Sequence, residues 1–145
     1  TYEKLSVMGP TPPVSEAFST AVRRGDLLSA DCPSREVLKH MTSRWGVLVL
    51  VMLLGGMHRF SELRRKIGGV SEKMLSQTLQ ALELDGLITR KSLPVVPPHV
   101  EYSLTPLGQQ AARHLEVMVD WIENNLPEIM SRRHEARTSS PENLA

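Results

Sequence analysis

Residues 60–84 read FSELRRKIGGVSEKMLSQTLQALEL, and the fold turns on this stretch. Ser61 is placed to cap a first short helix, with Leu63 and Ile67 four apart on one face. Gly68-Gly69 breaks that helix. Ser71 caps a second one, whose Leu75, Leu79 and Leu82 fall on one stripe at helical spacing. Two short helices joined across a tight glycine-containing turn form the helix-turn-helix pattern. In such a unit the second helix lies in the DNA major groove. With the leucine stripe turned inward, the outward face carries Lys73, Ser76, Gln77 and Gln80. These side chains can donate or accept at base edges and phosphates, and none is bulky and apolar. Two amphipathic helices with a glycine turn also occur in ordinary helical domains, so the flanking sequence has to decide.

The segment that follows points the same way. Asp85-Gly86 ends the second helix. Leu87 to Ser92 reads as a strand, and so does Val100 to Leu104, where Val100, Tyr102 and Leu104 alternate with polar residues. Between them the three prolines of LPVVPPH make a stiff loop that stays out of the ladder. A hairpin directly after a recognition helix is a wing. It places Arg90, Lys91 and His99 to run along the DNA backbone or into the minor groove. His99 has no second ligand at a workable spacing nearby, so no metal site is expected.

Charge is distributed to match. The whole chain carries a net charge of only +1 over 145 residues. Arg59 to Lys91 holds seven basic and four acidic residues, a net of +3, and the remainder is net −2. Positive charge is thus concentrated around the proposed reading unit, as a phosphate-binding surface requires. Apolar residues at 41% and charged residues at 23% are ordinary for a soluble globular protein, and the length suggests one domain. The longest apolar run, Trp45 to Leu54, is ten residues, about half what a bilayer span needs. No signal-peptide pattern opens the chain, and its single cysteine forms no internal disulfide, which suits a cytoplasmic protein.

Outside the reading unit, residues 1–13 read as a flexible tail and residues 138–145 as another, with the domain between them at 14–137. Residues 14–24 are a candidate short helix, with Val14, Phe18, Ala21 and Val22 on one side. Cys32-Pro33 opens a further helix, with proline in its first turn and Cys32 at its N-terminal end. The helix dipole there favours a thiolate, and the adjacent Asp31 opposes it. A lone cysteine is also often a small packed apolar residue. Ser43-Arg44-Trp45 opens the long apolar run, expected to be the buried central helix, with Trp45 as a core anchor. Thr105-Pro106 marks a sharp helix start, and that helix is expected to run to about Asn125. Its stripe of Leu107, Ala111, Leu115, Met118 and Ile122 is a candidate dimer interface. Pro127 is expected to end this helix or to restart a short one.

Taken together, the chain resembles the HxlR-type winged-helix transcriptional regulators of bacteria and archaea. The resemblance rests on Cys32-Pro33, Trp45 opening an apolar helix, RFSELRRKIGGVS, LDGLITR, and a proline-rich wing leading into VEYSLTPLG. It covers Cys32 to about Leu126. It implies a homodimer joined through N- and C-terminal helices, with the Ser71 helix as recognition helix. Several members of that family sense electrophiles or oxidants through a cysteine just before the proline, the place of Cys32. Many members carry Gly-Lys before the tryptophan, where this chain has Ser43-Arg44. The positive charge is kept there.

The expected fold is mainly α with a small β-hairpin, a winged helix-turn-helix dimerising through its terminal helices. The expected function is a homodimeric, sequence-specific DNA-binding regulator without a cofactor or metal. Its partners are double-stranded DNA bearing an inverted-repeat operator and a second copy of itself, with no membrane. Base contacts fall to Lys73, Ser76, Gln77 and Gln80. Backbone and wing contacts fall to Arg44, Arg59, Ser61, Ser71, Arg90, Lys91 and His99. An alternative is a winged-helix module that binds another protein, which should show apolar anchors on the outer face of the Ser71 helix. Met74 and Leu84 are the candidates there, and both are expected to point inward or to sit at the helix edge. An enzyme is not indicated, since the five histidines are scattered and no nucleophile elbow or phosphate-cradling loop appears.

Overall fold

The apolar run after Ser43 folds as a helix, and the reading unit is built onto it. The computed structural model describes residues 27–139. In chain order these form α1 (Pro33–Thr42), α2 (Arg44–Leu53), β1 (His58–Arg59), α3 (Phe60–Lys66), α4 (Glu72–Leu84), β2 (Ile88–Leu93), β3 (His99–Leu104) and α5 (Pro106–Thr138). The fold is mainly helical with a small antiparallel sheet, a winged helix-turn-helix. The tail over 1–13, the helix over 14–24 and positions 140–145 lie outside the described residues. The chain divides into two compact units, Thr1–Lys39 and His40–Ala145. Among the described residues, no helix is long and apolar enough to cross a membrane.

In the first unit, Cys32 sits where a turn passes into α1. Its amide donates to the Ser29 carbonyl at 3.2 Å, and its own carbonyl accepts from the Arg35 amide at 3.0 Å. Pro33 occupies the first helical position, where no N–H is required.

In the second unit, Ser43 caps α2, its hydroxyl accepting from the Gly46 amide at 3.1 Å. Val49, Leu50 and Leu53 are buried, and α2 packs against both α4 and α5. Val47, Leu63, Ile67 and Val70, with Leu75, Leu79 and Leu82 of α4, Leu87, Ile88, Tyr102, Ala112 and Leu115, complete the core. Each fully buried leucine, isoleucine or valine among them contributes about 1.5–3 kcal/mol of transfer free energy. The central helix is less enclosed than its sequence suggests, for Leu48 is 41% exposed. A ten-residue helix has faces beyond those that α4 and α5 cover, and an apolar sequence does not say which faces are covered.

The sheet has three strands in the order β1-β3-β2, all antiparallel. Two residues carry no readable period, so β1 was not visible in the sequence. Its His58 pairs with Tyr102 and its Arg59 with Glu101. Pro94, Pro97 and Pro98 lie exposed in the connection between β2 and β3, outside the ladder.

The sheet is locked to α5 at one point. Thr105 caps α5 by accepting from the Gly108 amide at 3.0 Å, and its hydroxyl donates to the Gly86 carbonyl at 2.6 Å. A Cβ at Gly108 would overlap the Leu87 carbonyl oxygen, so glycine is required for this approach. Helix α5 then continues to Thr138, with Pro127 inside it, well past the expected end at Asn125. The proline removes one hydrogen bond, to the Glu123 carbonyl. Glu123 and its neighbours Asn124 and Leu126 are exposed, so the carbonyl left without its helical partner lies at the solvent-facing surface and the helix continues through the proline. The Arg132–Glu128 pair at 3.1 Å bridges the next turn.

Candidate nucleic-acid interface

Helix α3 begins two residues earlier than its serine suggests. Arg59 is its N-cap and Ser61 its second residue, exposed and not a cap. The cap is completed from the other side, by the Glu62 carboxylate accepting the Arg59 amide at 3.1 Å. That amide holds the Glu62 carboxyl below its ordinary value of 4.5 against the opposing effect of desolvation, and the His58, Lys66 and Arg59 side chains pull the same way as the amide. A carboxylate at N3 accepts from the N-cap amide, so a helix start can be satisfied from N3 as well as by a hydroxyl at the cap.

The turn between the helices is tight because Gly69 adopts φ +85°, a left-handed conformation in which a side chain is strained. Ser71 then caps α4, its hydroxyl accepting from the Met74 amide at 3.1 Å. Leu75, Leu79 and Leu82 are buried, so the opposite face is presented outward. Lys73, Gln77 and Gln80 are exposed along one stripe, and Ser76 is half-buried beside it. Ser76 and Gln80 share a recess of about 410 Å³ with Glu83, Phe60 and Arg90, between α4 and the base of the wing.

The wing separates its two cations. Arg90 pairs in register with Tyr102, and Lys91 with Glu101. Successive side chains point to opposite faces of a strand. Arg90 therefore shares the recess with α4, whereas Lys91 shares the other face with Glu101 and Arg59, which flank one another across the three strands. His99 is half-buried and pairs with Leu93 at the far end of the hairpin. Arg44 stacks over the Trp45 ring at 4.2 Å. The rim of that ring lies 3.7 Å from where a Gly69 Cβ would stand, which puts Arg44 near the turn rather than on α4.

Other residues fall differently from their sequence reading. Met74 and Leu84 are 43% and 84% exposed on α4, so of the two expected placements, inward or at the helix edge, the inward one does not hold. A strict leucine stripe is narrower than the helix, so positions flanking it are left to solvent. Of the candidate dimer residues, Leu107, Met118 and Ile122 are exposed, whereas Leu115 is buried and Ala111 packs on the same core. Trp121, Leu126 and Met130 extend the exposed part of that stripe. Sequence reasoning passed over Arg64 and Arg65 as site residues. They line a recess of about 440 Å³ with Phe60, Ser61 and Glu72, and Arg64 lies 3.6 Å from Glu72. The run of three basic residues ending α3 was the available signal.

Residues 40–130, which include the whole of this surface, match the model of the HxlR-like helix-turn-helix family. The chain belongs to that family. It is 63% identical over 119 residues to the HTH-type transcriptional regulator YtfH of Escherichia coli, covering 82% of this chain and 94% of YtfH. The solved structure of the transcriptional regulator ytfH from Salmonella typhimurium matches with a TM-score of 0.72 at 66% identity, covering 74% of this chain and 96% of that one. The redox regulator HypR in its reduced form matches with a TM-score of 0.63 at 32% identity, over 68% of this chain and 98% of HypR. This HxlR-like chain is thus a DNA-binding transcriptional regulator of the helix-turn-helix type.

Proposed function

We propose that the chain acts as a homodimer that recognises a specific inverted-repeat operator. The observation that carries this reading is the outward stripe of Lys73, Gln77 and Gln80, held beside the wing by the buried leucines behind it. Gln77 and Gln80 suit adenine through paired hydrogen bonds, each good pair worth about 1–3 kcal/mol of discrimination. Lys73 and Ser76 complete the base-reading set. Arg59, Ser61, Ser71, Arg90, Lys91 and His99 set register on phosphates and sugar, and Arg44 does so from beside the turn. Arg64 and Arg65 join them, since the first helix of such a unit crosses the backbone. Dimerisation through α5 is supported by its exposed stripe of Met118, Trp121, Ile122, Leu126 and Met130.

The test is a titration of the purified protein against selected and random DNA at several salt concentrations. Affinity should fall steeply with salt, and the selected sites should be inverted repeats with centres about 10–10.5 base pairs apart, or a multiple of that. Binding that ignores salt, or that shows no preference over random DNA, overturns this reading.

The thiol of Cys32 is part of the same proposal. It is partly exposed at the start of α1, beside Ser29 and Asp31. The relative HypR is a redox regulator, which supports a sensing role here. With one cysteine per chain, two subunits form one disulfide, losing two protons and two electrons to an oxidant such as a quinone, which becomes a hydroquinone. Alkylation of the thiol by the quinone is the other route. Oxidant or quinone should weaken or alter DNA binding of the wild type and leave Cys32→Ser unaffected. An identical response of the two proteins removes the sensor.

A further inference from the structure

Resting on the DNA-reading role proposed above, we infer that Met74 is a specificity-determining residue that recognises the C5-methyl group of a thymine, next to the base read by Gln77. Met74 is the third residue of α4, in the first turn, where a recognition helix meets base edges. It is 43% exposed, while its neighbour Leu75 is completely buried. At helical spacing, Met74, Thr78 and Ala81 form a second stripe running alongside Lys73, Gln77 and Gln80.

That second stripe has little to offer a polar base edge. The Thr78 hydroxyl donates to the Met74 carbonyl at 2.8 Å, so its hydrogen is already used within the helix. What remains is the methionine side chain, the threonine methyl and an alanine. In the major groove the one apolar group on any base is the thymine methyl. An unbranched, polarisable thioether adapts its shape to such a group more readily than a branched side chain does.

The alternative, an anchor for a protein partner, is poorly served by this surface. Leu84, the other exposed apolar residue of α4, lies ten residues on, about 15 Å along the helix. Isolated exposed apolar residues do not make a hydrophobic patch. Met74 instead lies beside the polar residues that the reading unit presents, so the polar and the apolar stripe address neighbouring base pairs together.

The experiment uses the full chain and the half-site obtained by selection from a random pool. Each thymine of the half-site is replaced singly by deoxyuridine, which removes only the methyl group. One replacement should weaken wild-type binding about fourfold, the worth of one methyl-sized group withdrawn from water. Met74→Ala should bind the thymine site about fourfold more weakly than wild type, and should no longer distinguish thymine from deoxyuridine there. Unchanged thermal melting shows that this variant is folded. If it binds too weakly to titrate, Met74→Leu must keep the methyl preference and Met74→Gln must lose it. No penalty at any thymine overturns the inference, and so does a penalty that persists in Met74→Ala or Met74→Gln. A protein that selects no sequence at all overturns the DNA-reading role instead. One that selects a site but ignores every methyl group overturns only the assignment of Met74.

Discussion

Helices α4 and α5 start alike and end differently. Each opens with a hydroxyl cap, Ser71 on the Met74 amide and Thr105 on the Gly108 amide. Each carries an apolar stripe at three- and four-residue steps. In α4 that stripe is fully used inside the chain, with Leu75, Leu79 and Leu82 buried over 13 residues. In α5 only Gly108, Ala112 and Leu115 are buried, and 33 residues of helix extend about 50 Å. The core ends before the helix does. Beyond it the same stripe emerges as Met118, Trp121, Ile122 and Leu126, exposed. A stripe that the chain satisfies by itself gives a rigid display surface. A stripe that outruns the core is available to a second copy. The same periodicity is therefore buried in α4 and left exposed along much of α5, and the length of the core decides which.

The contrast can be broken most sharply at the buried end. Leu79→Ala should lower unfolding free energy by about 2–5 kcal/mol in denaturant titration, while Leu126→Ala should change the stability of a dilute monomer by about 0.5 kcal/mol or less. Equal losses at the two sites would mean that the stripes are not different in kind. Gly108→Ala comes next. Its new methyl group meets the Leu87 backbone, which cannot move without shifting β2, and a loss of about 1–3 kcal/mol is expected in the same assay. The caps should behave as equals, with Ser71→Ala and Thr105→Ala each costing about 1 kcal/mol. For the exposed stripe, the doubly substituted Trp121→Glu, Ile122→Glu protein should elute in gel filtration at half the mass of wild type and melt without dependence on protein concentration. An unchanged mass would remove α5 from the interface.

The smallest effect concerns the helix that carries the turn. Glu62 has its carboxyl held low by the Arg59 amide, so its contribution is fully present above 4.5 and is lost as pH falls through the lower folded value. Glu62→Gln should therefore melt slightly below wild type at neutral pH, and the gap should close in acid. A gap that widens in acid contradicts the cap geometry.

The helix-turn-helix was legible because its signals are local. Gly69 breaks one helix, Ser71 caps the next, and three leucines state the period. The wing was legible for the same reason, through alternation in Val100, Tyr102 and Leu104 and the prolines between the strands. The shortest and the longest elements were not. Strand β1 is two residues and exists only because His58 and Arg59 lie against Tyr102 and Glu101. The extent of α5 past Pro127 was hidden because a proline's effect depends on whether water can reach the carbonyl it leaves unpaired. Ser61 misled the reading of α3, since a cap can be supplied from N3 as well as from N-cap.

By itself the sequence determined the helix-turn-helix and the wing that follows it, and that polar and basic groups gather around the second helix of the pair. Those properties follow from neighbours along the chain, through steric preference, capping and periodicity. Only the tertiary structure decided which apolar residues are enclosed, which cation of the wing turns toward α4, and that Met74 stands exposed beside Gln77. Those outcomes depend on what packs opposite each residue, and that partner is distant in sequence: Leu87 against Gly108, Glu101 against Lys91, and α2 against α4 and α5.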